Sequence, residues 1–307
     1  MAGNILVIKL AALGDFIQAI RPFTAIRNHH PNSHITLLTS KPFVELAEAS
    51  SLFDQIWVDN KPKVLAISEW VSLRAQLRSG GFERVYDLQT SDRSSFYRLF
   101  FWPRQNPEWS GIASGCSHPH KNPRRDLMHT IERQAEQLEI AGVKVAGITE
   151  SLDFLNAPVD QFALPNDFVL LVPGGAIHRP KKRWSTEKYS ELARQFFVEG
   201  LVPILLGGIS EAEILEEISI NCPQAINLCG QTSLLQIATL ARQARLSVGN
   251  DTGPMHLIAA VGRRTVVLYG NSSDPALCGQ RGPHVTYLRK PNIKDITVES
   301  VKAVSIA

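Results

Sequence analysis

Leu246–Gly270 reads LSVGNDTGPMHLIAAVGRRTVVLYG, and this stretch predicts a strand, a helix and a second strand. Its first residues are an apolar run that ends in glycine, as a buried strand would. Pro254 suits the first turn of a helix, where its missing N–H costs nothing. Apolar residues then recur at helical spacing until Gly262, and Thr265–Tyr269 is the next buried strand. The stretch therefore indicates an α/β protein with a parallel sheet.

The turn before this helix predicts an anion-binding site. The free N–H groups and the positive dipole end of the helix would face the carboxyl edge of the sheet, where open α/β sheets bind ligands. The candidate phosphate-binding residues are Asp251, Thr252, Gly253 and His256. The alternative is structural: the side chains of Asn250, Asp251 and Thr252 would cap the helix, and His256 would be packed in the core.

Length and composition describe an ordinary globular protein of two domains. The chain has 307 residues, of which 44% are hydrophobic and 20% charged, and its formal net charge is +3. Two domains of roughly 150 residues fit this length, and the charge is too small to argue for nucleic acid as a partner. No apolar run reaches the roughly 20 residues needed to cross a bilayer, and the N-terminus lacks a signal-peptide layout. We therefore expect a cytoplasmic protein with reduced cysteines.

Strands and helices alternate along the whole chain, as in doubly wound folds. The sequence predicts two α/β halves, domains 1–157 and 158–307, with the connection near Pro158 and Pro165. The C-terminal helix, predicted over Thr297–Ser305, is free in this scheme to pack back on the first domain. Between Gln105 and Arg125 the periodicity is lost, and we expect a long loop without regular structure.

A carboxylate follows the first predicted strand, Asn4–Leu10, at the carboxyl edge of the sheet. The sequence there is Leu13-Gly14-Asp15, and with Gly14 as its one glycine it lacks the G-x-G-x-x-G of dinucleotide-binding loops. The N-terminus of a helix favours an ionised carboxylate, and a general base must be ionised before it takes a proton. The sequence thus makes Asp15 a candidate base. The alternative is that Asp15 only caps the helix.

A glycine turn followed by four cations predicts a second phosphate-binding element. Pro173–Ala176 follows the predicted strand Phe168–Val172, so backbone N–H groups near Gly175 could approach a phosphate. The cations would neutralise it. Among them we favour Lys182, because the tryptophan two residues later should anchor the loop.

Two further residues of the second half have both a binding and a structural interpretation. Glu211 ends a turn that begins with two glycines at another strand end, and its carboxylate could hold a ribose. The neighbouring Ser210 could instead cap the next helix. Thr232 precedes a predicted helix and is open to the same two interpretations.

Polar and basic residues of the first half favour an anionic substrate. The loop after the fourth predicted strand contains Gln89 and Arg93, and the basic run 118–133 contains Arg124 and Arg133. Solvated loops explain such runs about as often. The histidines of this run are not at a metal-binding spacing, so we expect no metal. The chain has neither a P-loop nor a G-x-S-x-G nucleophile elbow.

The sequence resembles the ADP-heptose–lipopolysaccharide heptosyltransferases, glycosyltransferase family 9. The segments that carry the resemblance are ILVIKLAALGDFIQAIRP, VYDLQTSDRSS, HTIERQAEQLE, PGGAIHRPKKRW, LLGGISEAE and VGNDTGPMHLIAAVGRRTVVLYGNSSDP. They come in the family order and cover nearly the whole chain. The resemblance implies a GT-B fold, in which two Rossmann-like doubly wound α/β domains face a central cleft and close on substrate.

The resemblance also implies an activity and roles for residues. The reaction would be an inverting, metal-independent transfer of heptose from ADP-heptose to an inner-core acceptor of lipopolysaccharide, with no cofactor. Asp15 would be the base and Lys182 a contact of the donor phosphate. The D-T-G-x-x-H element, Asp251 to His256, would surround the diphosphate and sugar, and Glu211 and Thr232 fall where the family contacts the nucleoside. The first domain would bind the acceptor and the second the nucleotide sugar.

The sequence departs from the family pattern at three places and leaves alternatives open. Thr90 stands where many members have glycine, Ser185 where proline is usual, and Ile177-His178 where a hydroxyl pair is usual. Another nucleotide-sugar donor, an acceptor other than lipopolysaccharide, and a non-catalytic nucleotide-binding protein remain alternatives. The expected partners are the donor and an anionic glycolipid, with contact to the inner face of the inner membrane and none to nucleic acid.

Overall fold

The computed structural model describes residues 3–175 and 179–306. The chain forms two compact units, Met1–Phe154 and Leu155–Ala307, and the division falls three residues before the boundary placed from the sequence. Each unit contains a six-stranded sheet in which every strand pair is parallel. No helix within the described ranges is both long and apolar enough to span a membrane.

The first unit alternates strands and helices from its N-terminus. Its strands are β1 Asn4–Lys9, β2 His34–Thr39, β3 Gln55–Val58, β4 Arg84–Asp87, β5 Glu108–Gly111 and β6 His118–Pro119. Its helices are α1 Leu13–Ile17, α2 Ile20–His29, α3 Val44–Ser50, α4 Ile67–Ser79, α5 Asp92–Phe101 and α6 Thr130–Ile140. The strands lie in the order β3-β2-β1-β4-β5-β6.

The second unit repeats this scheme. Its strands are β7 Phe168–Val172, β8 Val202–Leu205, β9 Ile226–Asn227, β10 Leu246–Asn250, β11 Thr265–Tyr269 and β12 Val285–Arg289. Its helices are α7 Thr186–Val198, α8 Ala212–Asn221, α9 Leu234–Gln243, α10 Gly253–Val261, α11 Pro275–Cys278 and α12 Val298–Ile306. The strand order is β12-β11-β10-β7-β8-β9, and α12 packs against α7 and β11 of its own unit.

The central strands of both sheets are buried on both faces, which explains their apolar sequences. In β1 the five residues after Asn4 are all buried, and in β7 and β11 all five residues are. Each unit has its own hydrophobic core: one contains Leu6, Val85 and Trp109, the other Val169, Val248 and Leu268. The two α/β halves expected from the sequence are present.

The expectation of a loop without regular structure between Gln105 and Arg125 is wrong. This segment contains β5 and β6, which extend the sheet beyond β4, and a short 3-10 turn at its end. β5, with the sequence EWSG, contains one large apolar residue, and β6 has only two residues, so neither shows an apolar pattern. Trp109 of β5 is fully buried in the core. The presence of this tryptophan in the segment was the signal that the sequence offered for a buried strand.

Candidate active site

Both sheets carry polar residues where the strand order changes direction. In the first sheet this point lies between β1 and β4, and in the second it lies between β7 and β10. Ligands of open α/β sheets bind outside the carboxyl ends of the strands at this point. β1 leads into the loop of Asp15, and β4 into Gln89. In the second unit, β10 leads directly into Asp251.

Asp15 lies in the first turn of α1, partly exposed at the edge of the first sheet. Its Oδ2 accepts a hydrogen bond of 3.2 Å from the backbone N–H of Ala12, the residue before the helix. Gly14 and Phe16 on either side are buried, and Phe16 stacks on Phe43 with the ring centroids 5.2 Å apart. The carboxylate therefore caps the helix start through one oxygen and sits on an anchored turn.

Gln89 braces the loop that carries Asp15. Its Oε1 accepts hydrogen bonds from the N–H groups of Leu10 and Ala11, at 2.8 and 2.9 Å. Those N–H groups follow the end of β1, where the sheet no longer pairs them. The side-chain oxygen thus substitutes for a strand partner and joins the loop after β4 to the loop after β1. From the sequence, Gln89 was predicted to contact the acceptor substrate, and nothing in the sequence indicated that it braces this loop.

Two buried charged groups lie beneath the same loops: Lys9, which the sequence analysis missed, and Asp87. Lys9, at the end of β1, is fully buried, and its Nζ donates a 3.0 Å hydrogen bond to the carbonyl oxygen of Leu88. Burial lowers the pKa of Lys9 to about 8, although the nearby charge of Asp15 opposes this. Burial also raises the pKa of Asp87 to about 6, against backbone hydrogen bonds from Gln89 and Thr90. The sequence signal for the buried Lys9 was the position of a lysine within the apolar run NILVIKL.

The structure separates the four predicted acceptor contacts. Arg133 lies near Lys9, close enough for its charge to lower the pKa of that lysine. Arg124 is exposed to solvent. Arg93 is engaged elsewhere: its guanidinium carbon lies 5.0 Å from the ring centroid of Trp70, and Nη2 donates to the carbonyl of Pro62 at 3.0 Å. The last of the four, Gln89, is the brace described above.

Arg125, another cation of the basic run 118–133, is also brought to the site. Its Nη2 donates a 2.6 Å hydrogen bond to Oγ1 of Thr90, in the loop after β4. Its charge also lowers the pKa of Lys9. Arg125 and Arg133 thus place positive charge beside the loop of Asp15, which favours an anionic ligand there.

In the second unit, Lys182 and Asp251 form a buried ion pair. Lys182 Nζ lies 2.5 Å from Asp251 Oδ2, and the two side chains are only 12% and 6% exposed. Asp251 Oδ1 also accepts hydrogen bonds from Gln280 Nε2 at 3.0 Å and from the hydroxyl of Tyr269 at 3.3 Å. Burial raises the pKa of Asp251, but the hydrogen bond and charge of Lys182 outweigh it, so the net shift is downward. The carboxylate is therefore held ionised.

The expectation that Asn250, Asp251 and Thr252 cap α10 with their side chains is wrong. The N-cap position belongs to Thr252, whose side chain makes no capping hydrogen bond. Asn250 instead joins two loops: Nδ2 donates to the carbonyls of Pro173 and Gly174, and Oδ1 accepts from the N–H of Trp184. These contacts lie far apart in the sequence, so local capping rules could not predict them.

The N-terminus of α10 is left without a side-chain cap. The backbone N–H groups at Gly253 and Met255 belong to the first turn, where no carbonyl of the helix itself is available to them. Thr252 Oγ1 is buried and has no hydrogen-bond partner within the described part of the chain. His256, in the same turn, is buried. Donors at a helix start are suited to hold a phosphate.

Glu211 joins the two glycine turns of the second unit. Its Oε1 accepts a 2.6 Å hydrogen bond from the N–H of Gly175, and its Oε2 accepts one of 2.8 Å from the N–H of Gly208. A Cβ at Gly174 would lie 1.9 Å from Glu211 Oε1, so only glycine lets the carboxylate sit there. Ser210 does not cap α8.

A cavity of about 230 Å³ opens beside Glu211 and the start of α10. Its walls are largely apolar, and its polar side chains are Glu211, Thr232 and Thr252. Ser233, not Thr232, caps α9 by accepting a hydrogen bond from the N–H of Gln236 at 3.3 Å. The hydroxyl of Thr232 is therefore not used to start the helix. The lining residues are Val172, Leu206, Gly207, Gly208, Glu211, Gly230, Thr232, Leu234, Ile237, Thr252 and Pro254.

The departure from the family pattern at Ile177-His178, together with Ala176, lies outside the described residues. Within the described ranges, no group of three or more His, Cys, Asp or Glu side chains is placed to hold a metal ion. All four cysteines lie in these ranges and are free thiols.

A family model decides the identity of the chain. The model described as glycosyltransferase family 9 (heptosyltransferase) matches residues 70–302, which is more than half of the chain. The chain belongs to glycosyltransferase family 9. The resemblance noted in the sequence and the prediction of a glycosyltransferase are confirmed.

Relatives with the same fold cover nearly the whole of this family 9 glycosyltransferase. Lipopolysaccharide heptosyltransferase 2 of Escherichia coli (strain K12) is 27% identical over 300 residues, 88% of this chain and 83% of the relative. The structure of E. coli ADP-heptose lps heptosyltransferase II matches with a TM-score of 0.78 at 23% identity, covering 99% of this chain and 98% of that one. E. coli heptosyltransferase WaaC with ADP matches with a TM-score of 0.78 at 20% identity, covering 98% of both chains. The predicted GT-B-type α/β fold is confirmed.

Proposed function

We propose that this family 9 glycosyltransferase transfers heptose from ADP-heptose to an inner-core acceptor of lipopolysaccharide, with inversion at the anomeric carbon and without a metal ion. The observation that carries the proposal is the Lys182–Asp251 ion pair, at the uncapped start of α10 and on the same edge as an apolar cavity. This arrangement offers a nucleoside diphosphate sugar a cation, free backbone N–H donors and a pocket of the size of a nucleobase. The names of the relatives supply the heptose and the lipopolysaccharide.

The donor would be bound by the second unit. The adenine would occupy the apolar cavity, with Thr232 and Glu211 as the polar side chains near the ribose. Gly175 would help to place the main chain of the glycine turn beside the phosphates. The diphosphate would lie at the N-terminus of α10, at Thr252 and Gly253, and accept a hydrogen bond from Lys182. His256 and Asp251 would complete the contacts of the diphosphate and the sugar.

The chemistry would be a single displacement. Asp15 takes the proton of an acceptor hydroxyl while that oxygen forms a bond to the anomeric carbon of the donor. The bond between the anomeric carbon and the phosphate oxygen breaks, and ADP leaves with the electron pair. Lys182 and the positive end of α10 stabilise the charge that develops on the leaving phosphate. One displacement inverts the configuration of the anomeric carbon.

The acceptor would be bound by the first unit. Arg133 lies in the positive region near Lys9 and the loop of Asp15, and Arg125 is hydrogen-bonded to Thr90 there. Arg124 is exposed and free to reach a larger ligand. In this account Gln89 acts mainly by holding the loop of Asp15, and Arg93 contacts acceptor only if it leaves Trp70. Positive charge at these places suits the carboxylates and phosphates of an inner core.

A transfer assay tests the proposal. The protein is mixed with ADP-heptose and a deacylated, heptose-free inner-core acceptor in the presence of EDTA. ADP release is followed, and the anomeric configuration of the product is determined by NMR. We expect turnover with inversion, and a loss of about a hundredfold or more in kcat for Asp15→Ala, with the affinity for ADP-heptose unchanged.

Asp92→Ala is the matched control, because Asp92 also lies in the first turn of a helix of the first unit. Its turnover should stay within about twofold of wild type, since a first-turn carboxylate at the surface contributes little. Normal turnover of Asp15→Ala would exclude the base assignment. A retained anomeric configuration, or activity only after a divalent metal is restored, would exclude the proposed mechanism.

A further inference from the structure

Large apolar side chains are exposed at the start of α4. Val64 and Leu65, in the turn before the helix, are 86% and 89% exposed. Ile67 and Val71 are also exposed and lie one helical turn apart, on one face of α4. Single exposed apolar residues are common on proteins, but a contiguous group marks an interaction surface.

A second exposed group on α5 continues the first. Phe96 and Leu99 are exposed and three residues apart, so they share a face of α5. Trp70 of α4 connects the groups, because its ring centroid lies 5.8 Å from that of Phe96. We name the following set the apolar surface: Val64, Leu65, Ile67, Val71, Phe96 and Leu99.

The turn that presents Val64 and Leu65 is held in place by hydrogen bonds. Trp70 Nε1 donates to the carbonyl of Lys63 at 3.0 Å, and the N–H of Ala66 donates to the same carbonyl at 2.9 Å. Arg93 Nη2 holds the carbonyl of Pro62 at 3.0 Å. The exposure of the two side chains is therefore a fixed feature of the fold.

Cations border the apolar surface. Lys61 and Lys63 precede it and are exposed, and neither has an ion-pair partner within residues 3–175. Arg74, one turn beyond Val71, is exposed as well. The exposed carboxylates on these two helices near the surface are Glu69 and Asp92. Apolar side chains bordered by lysine and arginine match a bilayer with anionic headgroups.

We propose that the apolar surface docks this protein on an anionic lipid bilayer, with Val64, Leu65 and Ile67 inserted at the headgroup boundary and Lys61 and Lys63 at the headgroups. A second copy of the chain is a poorer occupant. In a two-fold interface the same patch meets itself, so the border of Lys61, Lys63 and Arg74 would be brought towards an equally cationic border of the other copy.

The position of the surface suits an acceptor anchored in a lipid layer, and this part of the inference rests on the proposed function. Because β1 and β3 run parallel in one sheet, the turn before α4 lies at the same edge as the loop of Asp15. A cavity of about 340 Å³ at this edge is lined by Leu10 and Ala11 on one side and by Asp59–Lys61 on the other. The headgroup of a lipid held at the surface would thus be near the base.

Vesicle sedimentation with the full chain tests the docking without any use of activity. Vesicles of phosphatidylglycerol and phosphatidylethanolamine are compared with vesicles of phosphatidylcholine. We expect binding to the anionic vesicles, weaker binding at high salt, and a loss of at least about tenfold in the partition coefficient for Val64→Ser/Ile67→Ser. The matched control is Val198→Ser/Ile220→Ser, whose side chains are 85% and 69% exposed on the second unit, and it should bind as wild type does.

Binding of ADP and the melting temperature are measured for each variant and should not change. Equal partitioning of the two double variants would overturn the proposal, as would absence of binding by the wild type or equal binding to the neutral vesicles. A dimer that Val64→Ser/Ile67→Ser converts to a monomer, without vesicle binding, would instead identify a second copy as the occupant. All these outcomes are independent of whether ADP-heptose is the donor.

Discussion

Two buried aspartates at the switch points of the two sheets behave in opposite ways. Asp87 ends β4 beside β1, and burial raises its pKa to about 6. Asp251 follows β10 beside β7, and although burial raises its pKa, Lys182 brings the net shift downward. Asp251 has a cation at 2.5 Å, whereas the buried ammonium nearest Asp87 donates its hydrogen bond to the carbonyl of Leu88.

Under the proposed function, the difference fits two sheets that bind two different ligands. The ion pair of the second unit keeps charge in place at the start of α10, which suits a donor whose diphosphate is always anionic. In the first unit the buried charges lie beneath the loop, and Asp15 remains partly exposed with one oxygen engaged. A group that must receive a proton has to stay accessible.

The largest effect is expected at the ion pair. Lys182→Ala removes the cation that would stabilise the leaving diphosphate, and we expect kcat/KM to fall about a hundredfold. Lys181→Ala is the matched control, because Lys181 is next to Lys182 in the sequence but is exposed and outside the ion pair. Its kcat/KM should stay within about twofold of wild type. Steady-state kinetics with ADP-heptose measure both.

Loss of Lys182 also leaves Asp251 buried without its cation, which lowers the free energy of unfolding. The double variant Lys182→Ala/Asp251→Asn separates the two effects, because it removes the uncompensated charge. Its melting temperature should exceed that of Lys182→Ala while its kcat/KM stays low. Recovery of activity in the double variant would show that Lys182 acts only through stability.

The second effect concerns the stability at Asp87. Between its ordinary pKa of 3.8 and the folded value of about 6, the folded protein binds more protons than the unfolded chain. Stability contributed by this group therefore falls as the pH rises through that window. We expect the difference in free energy of unfolding, Asp87→Asn minus wild type, to increase by about 2 kcal/mol from pH 4 to pH 7.

Urea denaturation at a series of pH values measures this difference, and contributions of the other groups largely cancel in it. If the difference in free energy of unfolding for Asp87→Asn did not change with pH, the pKa of Asp87 would not be raised in the folded protein.

A smaller effect is expected at Gln89. Gln89→Leu removes the oxygen that accepts from Leu10 and Ala11, so the loop of Asp15 loses its brace. We expect kcat to fall about tenfold, with KM for ADP-heptose unchanged. Gln89→Glu keeps an accepting oxygen at the same place and should recover most of the rate. If both variants were equally slow, Gln89 would have a role other than holding the loop.

Local rules predicted those parts of the molecule that depend on neighbours in sequence. The start of α10 at Gly253, with Pro254 in its first turn, is as expected, and so are the strand β3 and the buried strands β7 and β11. The strands β5 and β6, at one end of the first sheet, were missed because β5 contains one large apolar residue, Trp109, and β6 has only two residues. In the sheet β5 pairs with β4, and β6 pairs with β5.

The sequence placed Asp15, Glu211, Asp251 and Thr252 in the segments that follow strands, and the structure has them there. Their roles in binding and catalysis, and that of Lys182, stay predictions. The sequence could not show that Asn250 joins the loops of Gly174 and Trp184, or that Glu211 joins two glycine turns. Such contacts are set by the strand order, which places residues distant in sequence side by side.

Calorimetric titration of the protein with ADP, UDP and GDP, all in the presence of EDTA, tests the central claim most directly. We expect ADP to bind at least about tenfold more tightly than UDP or GDP, because the cavity beside Glu211 and Thr232 would select the nucleobase. We also expect that adding magnesium leaves the affinity for ADP unchanged. Tighter binding of UDP or GDP, or binding of ADP only with magnesium, would contradict the assignment of a metal-independent ADP-heptose transferase.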